Sequence, residues 1–126
     1  MAALMSALEW ITHAEDPDPQ HIGRIATYVH QLEHDPSAGI RAIAAAQLGR
    51  SGDANAVGPI VSALGADESE NVQIAAFCAL ARLTEARLFD EECMKAFARS
   101  ALKEGSHTMR QVARGQILKL WGVPEV

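Results

Sequence analysis

Asp35-Pro-Ser-Ala-Gly-Ile-Arg-Ala-Ile-Ala-Ala-Ala-Gln-Leu-Gly-Arg-Ser-Gly-Asp53 holds one complete helical unit. Asp35-Pro36-Ser37 is a turn, because proline fixes its own φ and pushes the residue before it out of the helical region. Ile40, Ile43, Ala44 and Leu48 then recur at three- and four-residue steps, the period of one face of an α-helix. Gly49-Arg50-Ser51-Gly52-Asp53 ends the helix at a glycine-rich stop.

The same period appears on both sides of this unit. Leu4, Leu8 and Ile11 mark a helix near 3–14, closed by Glu15-Asp-Pro-Asp-Pro19. Ile22, Ile25, Ala26, Val29 and Leu32 share a face of a second helix. Beyond the quoted helix, Val57, Ile60, Val61 and Leu64 line a fourth, and Val72, Ala76, Ala79, Leu80 and Leu83 a fifth. Phe89, Cys93, Ala96, Phe97 and Leu102 suggest a sixth, and Met109, Val112, Ala113, Ile117, Leu120 and Trp121 a seventh. No segment alternates apolar and polar residues over a strand's length, so an all-α chain is expected.

The helices recur as pairs. Ile40-Arg41-x-x-Ala44 aligns with Val72-Gln73-x-x-Ala76 and Met109-Arg110-x-x-Ala113, with Leu48, Leu80 and Ile117 eight positions on. Asp35, Asp67 and Glu104 stand six positions before Arg41, Gln73 and Arg110. A helix–turn–helix unit returning after 32 and then 37 residues signals a solenoid, whose hairpins bury their apolar faces only by stacking. The expected architecture is an α-solenoid in a single domain, 1–126. It has an N-terminal helix at 3–14 and three hairpin repeats at about 18–50, 53–83 and 86–122.

Residues 35–53 resemble a HEAT repeat of the short type found in phycobilisome lyases. In that family the second helix often opens on Val-Arg and runs into Ala-Ala and Ala-Leu, and a Gly-Asp turn leads onward, as at Gly52-Asp53. Pro59, eight residues before Asp67, matches a proline common in the family's first helix. The resemblance spans about 18–122. It departs from the pattern at Gln73, where Arg is usual, and at Glu104, where Asp is usual. The resemblance implies an α-solenoid and leaves function open, because such repeats serve many partners.

Composition narrows the function classes. The chain has 126 residues, enough to bury a core without disulfides or metal. It is 48% hydrophobic and 21% charged, a globular mixture. A net charge of −5 with only three lysines makes nucleic acid a poor partner. Any basic patch falls in the second half, where eight bases meet nine acids, against three and seven in residues 1–63. Cys78 and Cys93 lie in helices without CxxC spacing and read as reduced thiols. No apolar run has the length of a membrane span, and the first ten residues carry no basic segment of a secretion signal. Together these features point to the cytoplasm.

No catalytic constellation is apparent, and neither a cofactor nor a metal is expected. Ser51, Ser62, Ser69 and Ser106 lie outside any nucleophile-elbow context. Gly49 and Gly52 follow a helix and so do not form a phosphate loop. His30 and His34 share a helix face, but a metal site needs at least three converging ligands. Asp90-Glu91-Glu92 suits a helix N-terminus. Asp35, Arg41, Asp67, Gln73, Glu104 and Arg110 read as a structural ladder, in which the acid caps the second helix and accepts from the Arg of its own or the adjacent repeat. Trp10 and Trp121, in the first and last helices, read as covers for the solenoid's ends, or for Trp121 a dimer anchor.

Once the core stripe is assigned, Ile74, Phe77, Cys78 and Ala81 remain on the far side of the fifth helix, and Gln111, Arg114 and Leu118 on the seventh. Either these residues pack within the domain, or they form a surface. In the second case Ile74, Phe77 and Leu118 are the apolar contacts, edged by Arg110 and Arg114. The expected function is a non-enzymatic module that binds another protein on this preformed surface. The alternatives are a lyase-like or other enzyme accessory holding a small ligand, and a homo-oligomer built through an end face. A HEAT-like DNA glycosylase ranks last, because it needs a basic groove.

Overall fold

The computed structural model describes residues 19–126, and these form six α-helices. Helices α1 (Pro19–His34) and α2 (Ala38–Arg50) make the first hairpin. Helices α3 (Val57–Ala66) and α4 (Glu70–Glu85) make the second, with a 3-10 turn at Ala54–Ala56 leading into α3. Helices α5 (Glu91–Glu104) and α6 (His107–Trp121) make the third. The described residues contain no strand. The helix expected at 3–14, with Trp10, lies outside them.

Serine starts each second helix. The Ile40, Val72 and Met109 amides donate to Ser37, Ser69 and Ser106 Oγ at 3.3, 3.4 and 3.1 Å, filling donors that a helix leaves open. The three serines repeat at the spacing of the hairpins. They hold the capping position that the sequence reading gave to Asp35, Asp67 and Glu104. Asp35 and Asp67 instead accept from the Ser37 and Ser69 amides at 2.8 and 2.9 Å, closing the turn. Asp90 caps α5 through the Cys93 amide at 2.9 Å, and Gly122 ends α6 at φ +68°, a left-handed conformation that suits glycine.

The second helices α2, α4 and α6 pack side by side, and each first helix covers its own partner. Their order of contacts shows that they run parallel. Arg41 meets Asp67 at the N-terminal ends of α2 and α4, and Gly49 faces Ala79 further along both. Glu70 and Ser106 meet at the N-terminal ends of α4 and α6, Cys78 and Gln116 in the middle, Glu85 and Lys119 at the C-terminal ends. Small residues let α2 and α4 approach closely: a Cβ placed on Gly49 would stand 2.7 Å from Ala79 Cα and Cβ.

The core runs along this stack, filled by Leu48, Ile60, Val72, Phe77, Leu80, Leu83, Met94 and Ile117. All five positions assigned to the inner face of α4 are buried. Other assignments shift. Met94 and Ala98, not Cys93 and Ala96, are the buried residues of α5, and Phe89 lies in the preceding turn. Ile40 and Ile43 are 41% and 61% exposed, although their periodicity placed them inside. The hairpin register explains this: Ile40 corresponds to Val72, which is fully covered because α2 precedes it.

Candidate functional site

On α4 the outward arc is Asn71, Ile74, Cys78, Arg82 and Glu85, opposite the buried Ala76, Leu80 and Leu83. The 32- and 37-residue register carries this arc to Ala42, Ala46 and Arg50 on α2 and to Gln111, Gly115 and Lys119 on α6. The parallel helices thus present one continuous outer face.

Phe77 does not belong to it. This corrects the expected contact set: Phe77 is 1% exposed and lies in the core. It stands 140° from Val72 on the helical wheel at 100° per residue, toward the following hairpin, and lines a groove with Phe97 and Met109 of that hairpin. Ala81 is covered in the same direction. Arg114 and Leu118 occupy the same two register positions on α6, where no described helix follows. Both are therefore exposed, Leu118 by 54%. Ile74 is half-buried on the outer face, and Arg110 is exposed at the α6 N-terminal turn. The five expected contact residues accordingly divide among the core, the outer face and the last hairpin's end.

The expected ladder has one rung between hairpins. Arg41 Nε and Nη2 donate to Asp67 Oδ2 and Oδ1 at 2.9 and 3.2 Å, and Arg41 Nη1 donates to the Asp35 carbonyl at 2.9 Å. This fork holds the Asp67 carboxyl below its ordinary value, helped by the Ser69 amide, and raises Arg41. Gln73 reproduces only the second contact, donating to the Asp67 carbonyl at 2.7 Å. The Glu104 and Arg110 side chains form no hydrogen bond or ion pair among the described residues.

Other titratable groups act locally. The His30 and His34 rings meet tilted, at 50° with centroids 4.8 Å apart, and His34 lies 3.7 Å from Glu33. Among the described residues no three His, Cys, Asp or Glu gather closely enough to hold a metal ion. Burial raises the Cys78 thiol, and the hydrogen bond to Asp90 raises that of Cys93. Trp121 Nε1 donates to Glu91 Oε1 at 2.5 Å, with Lys95 Nζ 5.7 Å from its ring, and its partly buried side chain packs against the core.

Two clefts adjoin the second helices' outer face. One of about 610 Å³ at the ends of α4 and α6 is lined by Arg87, Lys119, Glu85 and Trp121 among others. One of about 290 Å³ between α1 and α2 is lined by His21, Arg24, Tyr28, Gln47 and Arg50 among others. No described helix is long and apolar enough to cross a membrane.

Comparison with known proteins returns no match among curated proteins and none among solved structures. A family model described as HEAT repeats matches residues 25–115. That span takes in both halves of the first two hairpins and reaches into α6, so the chain belongs to the HEAT-repeat family.

Proposed function

We propose that this chain is a non-enzymatic module that binds another protein on the preformed surface of its second helices. HEAT repeats generally serve as protein-interaction scaffolds, and one observation on α6 supports that role for this chain. Leu118 is more than half exposed beside an exposed Arg114, and neither Arg110 nor Arg114 has an ion-pair partner among the described residues. A stacked helical surface loses little ordering entropy when it binds. Ile74, Leu118, Arg110 and Arg114 are the contact residues of this reading. The cytoplasm is the compartment that two unbridged thiols suit best.

The test is affinity capture from source-cell lysate with the wild-type chain beside an Arg114→Glu, Leu118→Glu variant, folding being checked by circular dichroism. A protein retained by wild type and lost with the folded variant supports the reading. Capture of nothing, or capture indifferent to the variant, rejects this surface.

Two observations favour other readings. Ile22, Ile40 and Ile43 are exposed on the first hairpin, which suits self-association of two copies through an end face. Light scattering of wild type against Ile43→Glu tests it. The groove between α3 and α5, lined by Val61, Leu64, Phe97 and Met109 among others, has a volume of about 420 Å³. It suits a small apolar ligand, the lyase-like reading, and an absorbance titration with a tetrapyrrole tests it.

A further inference from the structure

The second helices carry a charge opposite to that of the chain. Helices α2, α4 and α6 hold six Arg or Lys against two Glu, while the whole chain is −5. The first helices α1, α3 and α5 hold four of each sign, so the acids concentrate in the turns and in residues 1–18. Helices α2 and α6 contain no acid at all.

Three of these cations fall in one register. Arg50, Arg82 and Lys119 stand 32 and 37 residues apart, each in the last turn of its helix and each exposed. Because the helices run parallel, the three form a row across the outer face. A cation in a last turn offsets the helix dipole, and that role alone accounts for one per helix. It does not require all three to share one register position on the outer face, where like charges on adjacent helices repel. Helix axes pack about 8–10 Å apart, close to the screening length in physiological salt.

The row is only partly neutralised. Glu85 lies 3.6 Å from Lys119. Arg50 and Arg82 have no ion pair among the described residues, and Arg24 joins Arg50 in the cleft between α1 and α2. Asp53 lies 3.3 Å from His21, which also lines that cleft.

We infer that the partner proposed above presents an extended acidic segment, which lies across the second helices with its carboxylates on Arg50, Arg82 and Lys119. This inference rests on the interaction reading and names the chemistry of its partner. The row spans roughly 20 Å, which about six extended residues cover. Side chains from every second or third residue of such a segment reach successive cations. Nucleic acid fits less well. A single strand needs stacking platforms and a denser cation track, and α2 and α4 expose no aromatic ring on this face.

The test is fluorescence anisotropy of labelled deca-glutamate with the full chain. It compares wild type, an Arg50→Glu, Arg82→Glu variant, and an Arg99→Glu, Lys103→Glu variant that changes net charge equally on α5. The inference expects binding that weakens as salt rises through roughly 0.05–0.2 M. It expects a loss of roughly tenfold or more in the row variant and little change in the α5 variant. Equal losses in both variants overturn it, since net charge alone then governs binding. No binding, or tighter binding of oligothymidylate than of deca-glutamate, also overturns it. Arg50→Gln, Arg82→Gln, set beside Arg99→Gln, Lys103→Gln, replaces the pair of variants if circular dichroism shows the glutamates unfold the row variant. If deca-glutamate fails while lysate capture still depends on Arg114 and Leu118, only the acidic-segment inference falls. If that capture fails too, the interaction reading falls with it.

Discussion

Arg41 of the first hairpin grips Asp67 of the second through two hydrogen bonds, 2.9 and 3.2 Å long, and also holds the Asp35 carbonyl of its own turn. One side chain thus joins a turn to its neighbour's turn. The Asp67 side chain is only 10% exposed, so removing the guanidinium leaves a covered carboxylate without its fork. Arg41→Ala is expected to lower Tm by roughly 5 °C or more. Arg41→Lys should fall between, because an ammonium keeps the charge and loses the paired geometry. Thermal unfolding followed by circular dichroism checks both.

The same pair sets an acid limb of stability. Asp67 is held below its ordinary value of 3.8, chiefly by the hydrogen bonds from Arg41. Its contribution is therefore present above that value and is lost as pH falls through the lower folded value. The Tm gap between wild type and Asp67→Asn should stay level from neutral pH to about pH 5, then shrink on further acidification.

Gly49 is required by contact. A Cβ there meets Ala79 Cα and Cβ at 2.7 Å on the facing helix, and backbone cannot swing aside as a flexible side-chain tip can. Gly49→Ala should destabilise by about 1–3 kcal/mol despite the better helix propensity of alanine. Ala79→Gly in the same chain should recover part of that loss. Urea denaturation of the two single variants and the double variant measures the coupling.

Phe77 and Leu118 should separate stability from surface. Phe77→Ala empties a fully covered site and is expected to lose about 3–5 kcal/mol. Leu118→Ser, at a position 54% exposed, should change stability by less than about 0.5 kcal/mol. Equal losses in chemical denaturation would contradict the placement of both.

Cys93 is exposed, yet Asp90 beside it raises its thiol and lowers the thiolate fraction. It should react with iodoacetamide more slowly than free cysteine at the same mildly alkaline pH. Asp90→Asn, which still offers an N-cap oxygen, should quicken the reaction by several-fold. Mass spectrometry of timed samples follows Cys93 and the half-buried Cys78 separately.

Local periodicity was enough to reveal six described helices and their pairing, because an inward stripe must recur at three and four residues whatever lies across from it. It also carried the inner face of α4, where Val72, Ala76, Ala79, Leu80 and Leu83 are all covered. It could not place Phe77. A helix inside a solenoid is covered on three sides, so its buried arc is wider than a single stripe, and a residue just off the stripe reads as outward. Neither could it show that Ser37, Ser69 and Ser106 cap the second helices, although their spacing stands in the sequence.

By itself, then, the sequence determined an all-helical chain of hairpins repeating after 32 and 37 residues, since helix period and turn chemistry are local. Tertiary structure alone decided which equivalent positions meet water. Val72 is covered while Ile40 is not, and Phe77 is covered while Arg114 is not, because exposure depends on whether a neighbouring hairpin stands on that side. The same stacking turned three cations scattered along the chain into one row, because parallel helices convert a shared register into adjacency.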